Sequence, residues 1–97
     1  MVGKVFRDKD GQALRLSPET EEHIRTKHGI ADPAAFIADA LSHPTVILRS
    51  KWEADTRIYF AQVGHLYKAV IVSWAQQRIK TAHLMKTPQE GDTVWHT

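Results

Sequence analysis

Between Thr45 and Met85 the chain runs through successive stretches of β-branched and aromatic residues broken by very short turn signals, and this pattern narrows the fold more than any other. Thr45–Ser50 reads as a strand rich in β-branched residues, followed by a polar connection over 51–55. Arg57–Val63 is a second strand, Gly64-His65 a tight turn, and Leu66–Trp74 a third strand. Ala75-Gln76-Gln77 then turns into a fourth, Arg78–Met85. Two consecutive tight hairpins imply an antiparallel meander, because parallel neighbours need long crossovers.

The N-terminal part has a different character. Val2–Arg7 and Gln12–Leu16 flank Asp8-Lys9-Asp10-Gly11, whose Asp-Gly step suits a hairpin turn. Ser17-Pro18-Glu19 combines a serine cap, a proline at the first helical position and an acid in the first turn. That helix should run to about His28 and stop at Gly29, with a thin inward stripe of Thr20, Ile24 and either Lys27 or His28. Asp32-Pro33 repeats the start signal, and Phe36, Ile37, Ala40 and Leu41 form the apolar stripe of a second helix. His43-Pro44 ends it. The tail from Thr87 carries Pro88, Gly91 and Asp92 and reads as irregular, although Val94 and Trp95 could fold back on the body. The expected architecture is α+β: an N-terminal β-hairpin and two helices packed on a four-stranded antiparallel sheet. A chain of 97 residues is expected to be a single domain over 1–97, with its core in 12–86 and an irregular tail over 87–97.

Composition removes several chemistries. There is no cysteine, hence no disulfide, thiol nucleophile or thiolate metal site, which fits a reducing compartment such as the cytoplasm. No apolar run approaches a membrane span, and Met1–Arg7 is too short and charged for a signal peptide, so no membrane partner is expected. The formal net charge of +2 is compatible with a polyanionic partner without being diagnostic. A Gly-rich phosphate loop, a nucleophile elbow and a His-Glu-x-x-His motif are all missing. His23 and His28 are five residues apart, about 140° around a helix, which does not bring two imidazoles to one zinc. No metal ion or other cofactor is expected.

Strand alternation sorts the remaining candidates. Ile58 and Phe60 look like the core-facing set, which turns Arg57 and Tyr59 outward. Thr81 and His83 share a face of the last strand, with Ile79 and Met85 as same-face neighbours that leave their direction open. If they also face outward, one sheet face carries a cation, a phenol, a hydroxyl and an imidazole. That group suits metal-free RNA cleavage, which needs a base for the 2′-hydroxyl, an acid for the leaving 5′-oxygen and donors for the phosphate. Histidine can be either acid or base near neutral pH, and arginine can clamp phosphate oxygens. His28, at a helix end, is the natural second acid–base group. Lys27-His28 at a helix C-terminus is also favoured by the dipole alone, and a lone strand histidine is more often structural. Trp52, Trp74 and Trp95 are candidate stacking platforms or half-buried anchors.

The order of these residues resembles the small nucleases grouped as the barnase/EndoU/colicin/RelE-like superfamily, in particular its phage-associated branch. The shared features are the Lys27-His28-Gly29 helix end, the His43-Pro44-x-x-Ile47 strand entry and Arg57-x-Tyr59. They continue with Tyr67-x-x-Val70-x-Val72 and the closing Ile79-x-Thr81-Ala82-His83, so the likeness spans residues 14–86. It implies a metal-independent endoribonuclease, often a toxin, with two helices on a four-stranded antiparallel sheet. It places His28 at the helical basic or imidazole position, with His23 a second match. Arg57, with Tyr59, takes the phosphate-binding position, and Thr81 and His83 lie on the last strand. Lys27, Lys68, Trp74 and Lys80 are then RNA contacts. RNA is the implied partner, with an immunity protein or antitoxin as inhibitor if the chain is a toxin. The rival expectation is a non-catalytic RNA- or protein-binding accessory domain of a phage or toxin system on the same scaffold.

Overall fold

The computed structural model describes residues 3–88 and 91–97. In chain order it contains β1 (Lys4–Arg7), β2 (Ala13–Leu16), α1 (Pro18–Lys27), α2 (Pro33–Ser42), β3 (Val46–Ser50), β4 (Thr56–Val63), β5 (Leu66–Ser73), β6 (Arg78–Met85) and β7 (Gly91–His96). The meander β3 to β6 and both helices stand where the sequence places them. Val2, expected to open the hairpin, lies outside the described residues.

The sheet itself corrects the expected architecture. It has seven strands in the order β1-β2-β6-β5-β4-β3-β7, not four, and it is mixed. The β1–β2 hairpin is part of it, because β2 runs parallel to β6 and meets it at Arg15 and Arg78. The Arg15 amide donates to the Gln77 carbonyl at 3.0 Å, so the turn before β6 supplies the acceptor. A hairpin that would be marginal alone is stabilised by continuing a larger sheet.

The tail is the second correction. Gly91–His96 is a strand that pairs antiparallel with β3, bringing Trp95 opposite Ile47 and half-burying it against the core. Gly91 and Asp92 looked like breakers. At Gly91, however, an added Cβ would meet the Arg49 carbonyl oxygen at 2.6 Å, so glycine there allows the close approach of β7.

Local signals account for the helices. The Ser17 hydroxyl accepts from the Thr20 amide at 3.1 Å, and Asp32 Oδ1 accepts from the Ala35 amide at 3.1 Å. The α1 helix ends at His28, whose amide donates to the Ile24 carbonyl, and Gly29 follows at φ +65°. The α2 helix buries Phe36, Ile37, Ala40 and Leu41, and complete burial of Ile37 and Leu41 contributes about 2 kcal/mol each. The α1 helix buries only Ile24. Thr20, Lys27 and His28 do not extend that stripe.

The sheet is apolar on both faces. On the helix side, Ile47, Tyr59, Val70, Val72, Ile79 and Ala82 join Ile24, Ile37 and Leu41 in one cluster. On the opposite face, Leu48, Ile58, Phe60 and Ala69 form a second cluster flanked by Val46, Tyr67, Ile71 and Met85. This reverses the expected facing on β4. Ile58 and Phe60 point away from the helices, while Tyr59 is 1% exposed and lies in the helix-side core.

Candidate functional site

A β-bulge decides where the last strand points its functional side chains. Along β5–β6, Ile71 pairs with Thr81 but Val72 pairs with Ile79, which leaves Lys80 as the extra residue. Ile79 therefore sits in the helix-side core with Val72, although it is two positions from Thr81. Thr81, opposite Ile71, and His83, opposite Ala69, take the other face with Ile58 and Phe60. Without the bulge, simple alternation would put Ile79 and Thr81 together.

His28 reaches His83 from the end of α1. Their ring centroids are 5.3 Å apart and the planes are tilted by 31°. His23, one turn and a third earlier on the helix, packs edge-on against His28, also at 5.3 Å. Three imidazoles thus converge from two elements far apart in sequence. The pKa of His28 is held below its ordinary 6.5, first by partial loss of solvent, then by the neighbouring His83 and His23. Among the described residues no group of three His, Asp or Glu side chains is arranged to hold a metal ion. The arrangement brings imidazoles from a helix end and a strand into ring contact.

Below Thr81 on the same face lies a cavity of about 410 Å³ with Ile58 and Ile71 at its floor. Thr81 Oγ1 is buried and has no hydrogen-bond partner. Lys80, swung onto this face by the bulge, donates to Glu53 Oε2 at 2.9 Å and reaches Thr56 Oγ1 at 3.3 Å. Thr56 also donates to Glu53 Oε2, at 2.8 Å. These bonds lower the Glu53 pKa, the one from Lys80 foremost. Trp52 stands at the rim with 84% of its surface exposed.

Other expected site residues lie elsewhere. Arg57 shares the helix side of the sheet with Tyr59, and its guanidinium stacks 3.9 Å over the Trp74 ring. It lines a separate cavity with Asp8, Asp10 and Trp95 and is not brought to His83. Tyr59 is structural: its hydroxyl donates to Asp8 Oδ2 at 2.8 Å, and burial together with that acidic partner pushes its pKa well above 10. Trp74 is committed to Arg57 and the core. Lys68 is tied to Asp39 of α2 at 3.1 Å and lies over Phe36, on the helix side. Lys27 is exposed in the last turn of α1, one residue from His28.

Two contributors escaped the sequence reading. Glu53 and Thr56 look like ordinary connection and strand residues, and nothing local ties them to Lys80. An apolar Ile79 sharing simple alternation with polar Thr81 and His83 was the one available sign of a bulge. Compared with protein-family models, curated proteins and solved structures, the chain has no match. No helix among the described residues is long and apolar enough to cross a membrane.

Proposed function

We propose that the chain is a metal-independent endoribonuclease whose acid–base pair is His28 and His83. The observation that carries this reading is the 5.3 Å approach of the two rings, from a helix end and an edge-proximal strand, at positions where neither is needed for the core. Neutral His28 takes the proton of a ribose 2′-hydroxyl, and the freed oxygen attacks the adjacent phosphorus. The phosphorus–O5′ bond breaks as cationic His83 gives its proton to the departing 5′-oxygen. The products are a 2′,3′-cyclic phosphate and a 5′-hydroxyl. Thr81, on the same face as His83, is the auxiliary hydroxyl of this reading. Its role and those of Lys27 and Lys80 as RNA contacts belong to this reading, in which the substrate is cytoplasmic RNA. A cell making such an enzyme as a toxin needs an inhibitor protein over the same face.

The test is cleavage of RNA in EDTA. Wild type should release 2′,3′-cyclic phosphate ends, and His28→Ala and His83→Ala should each lose about 100-fold or more. Full activity in both variants overturns the assignment. One observation favours a second reading, RNA binding without turnover: Arg57 is on the far face and Lys80 is already paired with Glu53, so neither clamps a phosphate at the imidazoles. Salt-dependent RNA retention with no cleavage product selects that reading.

A further inference from the structure

On the helix side of the sheet, where β4 meets the turn between β1 and β2, a second cavity of about 300 Å³ has Ile47, Val94, Trp74 and Trp95 as apolar walls, with Arg57 and Asp10 among its polar groups. It lies on the other side of the sheet from Thr81 and His83, and the ribonuclease reading makes no use of it.

Arg57 has no acid of its own. It stands opposite Arg49 in direct cross-strand register, a like-charge placement that costs stability. The carboxylates of the neighbourhood are already committed. Asp92 pairs with Arg49 at 3.5 Å, and Asp10 pairs with Lys9 at 2.9 Å. Asp8 accepts from Tyr59 and from the amides of Asp10 and Gln12, while Asp55 accepts from Ser73 and the Ala75 amide. The Arg57 guanidinium stacks on Trp74, and among the described residues none of its N–H groups has an acceptor. A half-buried guanidinium in that state lacks an anion, and stacking leaves its forked edge open to one.

The surroundings select the anion. Lys9 neutralises Asp10 and lies over the Trp95 ring, so the formal charges of Asp8, Asp10, Lys9 and Arg57 cancel. A phosphate dianion finds no net attraction there. A carboxylate brings a single charge and matches the guanidinium fork with two parallel hydrogen bonds. The two indoles and the aliphatic walls suit a ligand whose other end is flat and apolar.

We infer that this cavity binds a small aryl carboxylate, its carboxylate paired with Arg57 and its ring against Trp95, Val94 and Ile47. The assignment is independent of the ribonuclease reading, and its test involves no RNA.

Two of the three tryptophans line the cavity, so the test is titration of the intact protein with phenylacetate, followed by tryptophan emission and by calorimetry. Phenylacetate should quench saturably and bind about tenfold or more tightly than the neutral phenylacetamide. Arg57→Gln should lose about tenfold or more in affinity. Val94 is 43% exposed, so Val94→Glu spares the core, sets a competing carboxylate beside the cavity and should block the ligand. Unchanged circular dichroism checks that both variants fold. Absence of saturable quenching, equal binding of the amide, or full affinity in both variants overturns the site. Displacement of phenylacetate by inorganic phosphate at equal concentration overturns the carboxylate class.

Discussion

The hydroxyl of Tyr59 donates to Oδ2 of Asp8 at 2.8 Å, tying the middle of β4 to the turn between β1 and β2 across the helix-side core. Asp8 is itself buried, and its Oδ1 accepts from the amides of Asp10 and Gln12. One carboxylate thus organises the hairpin turn, and one phenol anchors that turn to the sheet. Tyr59 works here as a structural strut, which removes it from the catalytic set.

Tyr59→Phe keeps the ring and deletes the hydroxyl, leaving a buried carboxylate short of one donor. The expected cost is about 2 kcal/mol, read from urea denaturation, with RNA cleavage per folded molecule unchanged. Tyr59 also sets an alkaline limit. Its folded pKa is raised, so the folded state holds its proton where the unfolded chain has lost it. The stabilisation is complete below about pH 10 and declines as pH rises above that. The Phe variant should lack this component of the alkaline loss.

Cleavage should depend on His28 in its neutral form. Because its pKa is depressed below 6.5, the acid limb of the rate profile should have its midpoint below that value. His23 contributes to the depression by repulsion, so His23→Gln should move the midpoint upward while leaving the plateau rate within about threefold. A midpoint that does not respond to His23 removes the coupling from the account.

Arg57→Ala distinguishes the observed site from one with an arginine clamp. A guanidinium on the transferring phosphate would cost about 100-fold or more in rate when removed. Stacked instead on Trp74 on the helix side, Arg57 should cost about 1 kcal/mol of stability and less than about threefold in cleavage. A change in tryptophan emission should accompany the loss.

Trp95→Ala should destabilise the protein by about 2 kcal/mol, because Trp95 half-buries against the helix-side core and carries Lys9 at 4.4 Å over its ring. Differential scanning calorimetry should show a lower Tm. An unchanged Tm would mean that β7 adds nothing to the core.

Short-range chemistry was legible throughout. Ser17-Pro18 and Asp32-Pro33 begin the helices, Gly29 and His43-Pro44 end them, and the turns at Gly64-His65 and Ala75–Gln77 define the meander. Each is set by neighbours a few positions away, as caps, fixed φ angles and left-handed turns are. Pairing His28 with His83 was also readable as an expectation, since one helix end and one strand carried the strongest acid–base groups.

The primary sequence alone determined the elements from Lys4 to Met85 and the alternation within every one of those strands but β6, where the bulge breaks it. Only tertiary structure decided which alternating set meets the helices. Alternation gives two faces but does not name them: Ile58 and Phe60 read as the core-facing set, yet both faces are apolar and it is Tyr59 that meets the helices. The bulge at Lys80 shifted the phase of β6, and it exists only in register with β5. The parallel step between β2 and β6, the docking of β7 on β3, and the Glu53–Lys80 pair across the open face are likewise contacts between distant segments. Their energies arise only once the chain is compact, so no local window of residues could contain them.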